Sequence, residues 1–150
     1  MVAAFTHEGP ARDLVHELKY RGALGYARVA AAAIADRIPH LPLVPVPRVV
    51  SRKLRYGVDP ARELAAVISA ITGAPVLRLL AAPLHAPRRA GGDHRRQTVR
   101  FRLVGAPPPQ VILVDDVVTT GGTLLAAATS VGPDRVVMAV AANSARKPGV

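Results

Sequence analysis

The chain has 150 residues, half of them hydrophobic, and a formal net charge of +10 from 20 Lys and Arg against 10 Asp and Glu. That length sets one domain over residues 1–150 as the expectation, able to bury about 68–70% of the surface its unfolded chain exposes. It contains no cysteine, which excludes disulfides, thiolate-bound zinc and a cysteine nucleophile.

Aromatic residues are only 3% of the chain, a poor basis for a base-stacking surface. The positive charge has three readings: a footprint for nucleic acid or another polyanion, cations for a bisphosphorylated ligand, or a compositional bias toward Ala, Arg, Gly, Pro and Val. The opening MVAAFTHEGPARD lacks the basic and apolar regions of a signal peptide. Alanine-rich runs such as 29–35 are too short to span a bilayer. A cytoplasmic protein without membrane insertion is therefore the expectation.

Residues 10–20 place Ala11, Leu14, Val15 and Leu18 at the spacing of an amphipathic helix, closed by Gly22. Residues 24–38 read as a second, Ala-rich helix stopped by Pro39, with small side chains suited to close packing. Leu43-Val44-Pro45-Val46-Pro47 reads as a short strand entering a loop, because proline inside a strand marks an edge or an end. A basic stretch follows, with Arg48, Arg52, Lys53 and Arg55. Asp59-Pro60 opens a third helix: aspartate is a favoured N-cap and proline suits the first helical position. Its apolar stripe is Leu64, Val67, Ile68 and Ile71, and Gly73 closes it.

Residues 76–80 read as a strand. The run from His85 to Gln97 is basic, glycine-containing and without periodicity, which predicts a mobile loop. Residues 99–103 read as a further strand, a candidate flap base, and 107–109 form a proline linker. After the motif described next, residues 135–142 make a final apolar strand, and the tail ending in Lys147-Pro148-Gly149-Val150 should fray. The alternation of strand and helix patterns points to an α/β fold. The histidines are scattered without metal-ligand spacing, and Ser51, Ser69 and Ser144 lie in no nucleophile elbow.

The stretch 111–123, VILVDDVVTTGGT, carries the chemistry. Its apolar β-branched start reads as a strand buried on both faces. Asp115 and Asp116 stand where that strand should end. Thr119, Thr120, Gly121, Gly122 and Thr123 then lead into a helix over 124–128. A strand–loop–helix with hydroxyls and glycines in the loop is a phosphate cradle, since the first helical N–H groups lack intrahelical partners and the dipole favours an anion. Two acids beside such a cradle make sense if they accept hydrogen bonds from sugar hydroxyls, or sit near a divalent cation bridging to a phosphorylated ligand. A sugar with adjacent hydroxyls and a 5′-phosphate satisfies both halves.

This stretch resembles the phosphoribosyl-pyrophosphate (PRPP) motif of type I phosphoribosyltransferases: apolar residues, two acids, two loose positions, Thr-Thr-Gly, one loose position, Thr. Leu18-Lys19-Tyr20 before Gly22, and Pro45-Val46-Pro47 before the basic stretch, resemble the competence-protein ComF group of that family. The resemblance extends over about residues 10–142. It implies a mostly parallel sheet with helices on both faces and a small N-terminal hood. It further implies that Asp115 and Asp116 bind the ribose hydroxyls, and that the loop from Val117 and Val118 through Thr119, Thr120, Gly121, Gly122 and Thr123 binds PRPP by its 5′-phosphate. Arg48 is the nearest match to the pyrophosphate loop, followed by Arg52 and Lys53. In the family a flexible loop closes over the reacting ligand near 85–97, which makes Arg88 and Arg89, with Arg95 and Arg96, candidates for a catalytic role beside the two acids. The implied cofactor is Mg²⁺, held mainly through the ligand.

The chain departs from the ComF pattern in three places. Tyr56 and Val58 stand where an arginine and an aromatic are usual before the third helix. The basic loop is shortened and lacks the usual Asn. The N-terminal zinc ribbon common in the group is absent, there being no cysteine. Two functions stay open: transfer of phosphoribosyl from PRPP to an unidentified nitrogen acceptor, or non-catalytic phosphoribose binding in DNA uptake. The second would bring single-stranded DNA or competence proteins as partners, and a homodimer is compatible with either.

Overall fold

A computed structural model of the chain describes residues 1–6, 24–48, 59–82 and 99–144. The expected helix over 10–20, the basic loop 85–97 and the tail lie outside the described residues.

Four parallel strands form the central sheet in the order β1-β6-β5-β2. They are β1 (Val2–Thr6), β2 (Leu43–Pro45), β5 (Val111–Val118) and β6 (Val136–Ser144). A separate antiparallel ribbon pairs β3 (Leu80–Ala81) with β4 (Arg102–Leu103). The α-helices among the described residues are α1 (Leu24–Ala32), α2 (Pro60–Thr72) and α3 (Gly122–Val131). The α/β expectation, a parallel sheet with helices on both faces, describes this arrangement.

The two faces follow from side-chain alternation along β5. Ile112 and Val114 point into one cluster with Ala30, Ala31 and Ile34 beside α1 and with Leu64, Ala65 and Ile68 of α2. Val111 and Leu113 point into the other, with Leu124, Ala127 and Val131 of α3 and with Phe101 and Leu80 of the ribbon. A strand covered on both faces needs apolar residues at every position, which is why 111–114 shows no polar alternation. The small alanines of α1 let that helix lie close to α2 and to the sheet.

Several boundaries differ from the sequence expectations. The second helix stops at Ala32 and gives way to a 3₁₀ turn at Ala35–Arg37 before Pro39. In α2 the buried stripe is Ala61, Leu64, Ala65 and Ile68, while Ile71 is more than half exposed. Asp59 occupies the N-cap position but makes no side-chain capping bond there; its carbonyl accepts from the N–H groups of Arg62 and Glu63. Gly73 ends α2 at φ 74°, the left-handed turn that glycine adopts without a Cβ penalty. The segment 76–80 contributes one parallel bridge, Val76 to Leu43, and then β3. It covers the outer edge of β2, whose Leu43 bonds to Pro75 and Leu77. Val2–Thr6 is a strand with no counterpart in the expectations, paired with β6 from Val2↔Val140 to Thr6↔Ser144. Among the described residues, no helix is long and apolar enough to cross a membrane.

Candidate functional site

The site forms where β5 passes into α3, beyond the carboxyl ends of the parallel strands, the position at which open α/β sheets bind ligands. The acids were expected at the end of the strand. They lie within it, because β6 continues to pair past them: Asp115↔Ala141, Val117↔Asn143 and Val118↔Ser144. The helix also begins earlier than 124–128, at Gly122.

Beyond the acid pair the apolar packing departs from strict alternation, although the ladder to β6 stays in register there. Ile112 and Val114 pack toward α1 and α2, and a regular strand would send Val118 the same way. Instead Val117 packs with that cluster and Val118 with the α3 cluster. At the same step the carboxylate Oδ1 of Asp115 accepts the N–H of Asp116 at 2.8 Å. Val117 and Val118, the loose positions of the motif, thus anchor the two ends of this step in apolar packing.

A shallow open concavity with a volume of about 30 Å³ is lined by Asp115 and by residues 117–124. Asp115 is buried, Val118 and Leu124 form the floor, and Thr119, Thr120, Gly122 and Thr123 are exposed at the rim. Gly121 stands at φ 78°, and a Cβ built on it would meet nothing within 4 Å. The turn thus needs glycine for its backbone angle rather than for want of space. No side chain caps the start of α3, and its first turn contains no acid. The residues of its leading turn and three threonines line the same opening, which gives it N–H and hydroxyl groups able to donate.

Arg48 reaches this end of the sheet from the segment after β2. The N–H of Val46 bonds to the carbonyl of Val114, which carries the chain alongside β5. The Arg48 guanidinium donates from Nη2 to Oδ2 of Asp116 at 2.8 Å, with each side chain 16% exposed. A pair this sheltered is less screened by salt than a surface pair. The two acids therefore face different groups: Asp115 lines the concavity, and Asp116 holds the arginine.

The structure brings together Asp115, Asp116, 117–123 and Arg48 from the sequence expectations. Arg52, Lys53, Arg88, Arg89, Arg95 and Arg96 lie outside the described residues. Sequence reasoning did not find Asn143 and Ser144, both fully buried beside Val117 and Val118 on β6. The only signal for them was two polar residues ending an apolar strand. Among the described residues no group of three or more His, Cys, Asp or Glu is placed to hold a metal ion. Comparison with protein-family models finds no match for the chain, and comparison with curated proteins finds none either.

Proposed function

We propose that this chain is a type I phosphoribosyltransferase-like protein of the ComF-like group, which binds PRPP with Mg²⁺ and transfers the phosphoribosyl group to a nitrogen acceptor. The observation that carries the reading is the concavity at the β5–α3 turn, where a buried carboxylate faces a threonine-rich, uncapped helix start. A carboxylate accepts from a diol, and helix N–H groups with hydroxyls donate to a phosphate. Arg48, at the same end of the sheet, supplies a cation for the pyrophosphate. A small hood from the N-terminal helices is part of the same reading; the first of them, expected over 10–20, lies outside the described residues, and the second packs into the core beside α2.

The donor set fits Mg²⁺ held chiefly by its ligand. That ion keeps several waters and is bound by one or two carboxylates plus substrate phosphates, not by an all-protein cage. When bound, it supplies charge neutralisation to the leaving pyrophosphate. The chain's own residues do the rest by position. The turn 119–123 fixes the 5′-phosphate, the acid pair fixes the sugar ring and its attached cation, and the ribose C1 is presented to the acceptor. The bond from C1 to pyrophosphate breaks as the bond from C1 to nitrogen forms, through an oxocarbenium-like state that needs no protein nucleophile. Arg88 and Arg89 belong to this proposal as cations for the negative charge developing on the leaving pyrophosphate.

Exchange of labelled pyrophosphate into PRPP, run with Mg²⁺ across a panel of bases, tests the transfer. Exchange with one base identifies the acceptor class. Tight PRPP binding with no exchange on any base would replace transfer by the non-catalytic binding function in DNA uptake.

A further inference from the structure

The chain's positive charge is not spread evenly. Seven arginines and a single acid, Asp93, fall between Ala74 and Gln110, the stretch that contains the β3–β4 ribbon. Along the returning strand of that ribbon, burial alternates residue by residue. Val99 and Phe101 pack into the α3 cluster, and the Ser130 hydroxyl donates to the Phe101 carbonyl at 3.0 Å. Arg100 and Arg102 therefore project from the opposite side, and both are exposed. Val104 continues the same row and is exposed too, as is its neighbour Leu103. The cross-strand partner of Arg102 is Ala81, which brings no carboxylate. Among the described residues neither guanidinium has an ion-pair partner.

We propose that this outward row on β4 docks an extended acidic segment of a partner protein, one with carboxylates at every second residue followed by an apolar side chain. The inference goes beyond the phosphoribose reading and uses none of its residues. Residues i and i+2 of a strand stand about 6.8 Å apart, so the two guanidiniums repeat at the spacing of alternate side chains on another extended chain. Each offers a planar fork of donors that matches a carboxylate. Val104 and Leu103 give the row an apolar end, and arginine is among the residues enriched at protein–protein interfaces. A nucleic-acid single strand would meet the same cations but no ring on which to stack its bases, because Phe101, the sole aromatic between Ala74 and Gln110, is turned inward. The surplus of arginine in this stretch draws an acidic partner toward the ribbon and speeds its encounter.

Fluorescence anisotropy on the full chain tests the proposal with three labelled probes: a peptide carrying Glu at every second position and a Val-Leu end, a shuffled peptide of the same composition with its glutamates adjacent, and oligothymidine. The wild type should bind the alternating peptide at least about tenfold more tightly than the shuffled one. Arg100→Met and Arg102→Met should each weaken the alternating peptide by about threefold to fivefold, the upper range of an exposed charge pair. Val104→Ser should weaken it by about threefold through lost apolar contact. Arg28→Met removes the same charge from α1, which packs on the other face of the sheet, and should change the affinity by less than about twofold. An unchanged thermal unfolding midpoint shows that each variant is folded. Equal binding of the two peptides, or an equal loss for Arg28→Met, would reduce the attraction to net charge and overturn the proposal. Tighter binding of oligothymidine that is lost in the Arg100 and Arg102 variants would give the row to nucleic acid and overturn it as well. Failure of the wild type to bind the alternating peptide would also overturn it.

Discussion

Helices α2 and α3 pack on opposite faces of one sheet, and they begin in opposite ways. The start of α2 is closed: Asp59 and Pro60 are both buried, and the proline has no N–H to offer. The start of α3 is open: Gly121 and Gly122 bring no side chain, and the neighbouring threonines are exposed. Neither start has a side-chain capping bond, but at α2 the N–H groups of Arg62 and Glu63 turn back to the Asp59 carbonyl among buried residues, whereas the leading turn of α3 lines an opening. An N-terminus sealed by its own residues serves stability, and one bordered by small residues and hydroxyls is available to an anion.

Substitutions at three positions test that contrast. The largest effect is expected at the closed helix. Ile68→Ala removes a fully buried side chain of α2 and should cost about 2–5 kcal/mol of stability in urea titration, with PRPP affinity in the folded fraction unchanged. A loss of affinity without a loss of stability would erase the distinction between the helices. The next effect is at the open helix and has the opposite profile. Thr120→Val should weaken PRPP by about 1.5–3 kcal/mol, as expected for a hydroxyl bonded to a charged phosphate, while stability moves by less than about 0.5 kcal/mol. The smallest belongs to the turn itself. Gly121→Ala meets no clash but must hold φ near 78°, so it should cost about 1–2 kcal/mol of stability by thermal unfolding. Gly121→Asn, which tolerates that angle better, should cost less, and an equal cost would place the penalty in the lost space rather than in the backbone.

The elements that were readable in the sequence were those whose signal is local. The run 111–114 announces a strand covered on both sides because no polar residue interrupts it. Asp59-Pro60 and Gly73 mark the ends of α2 by backbone chemistry that needs no partner. The glycines and hydroxyls of 119–123 announce a turn into a helix. What the sequence concealed depends on distant pairing. Nothing local extends β5 through two acids; the ladder to β6 does that. Val2–Thr6 is too short to stand out until Val140 to Ser144 lies beside it. The bond between Arg48 and Asp116 spans 68 positions and exists because β2 runs parallel to β5 in a particular register. Sequence alone could single out both residues, but not set one against the other.

The strand order has a consequence for how the chain is made. β6, the final described strand, lies between β1 and β5, which precede it in the chain. During synthesis β1 has no neighbour in the sheet, and β5 only the short β2, until residues 136–144 leave the ribosome. Contacts of such long sequence separation form slowly, and half-built sheets expose unpaired edges that attract other chains. A nascent chain paused just before Val136 would carry β5 with one side of its hydrogen-bonding ladder bare, ready to accept whatever extended segment arrives first.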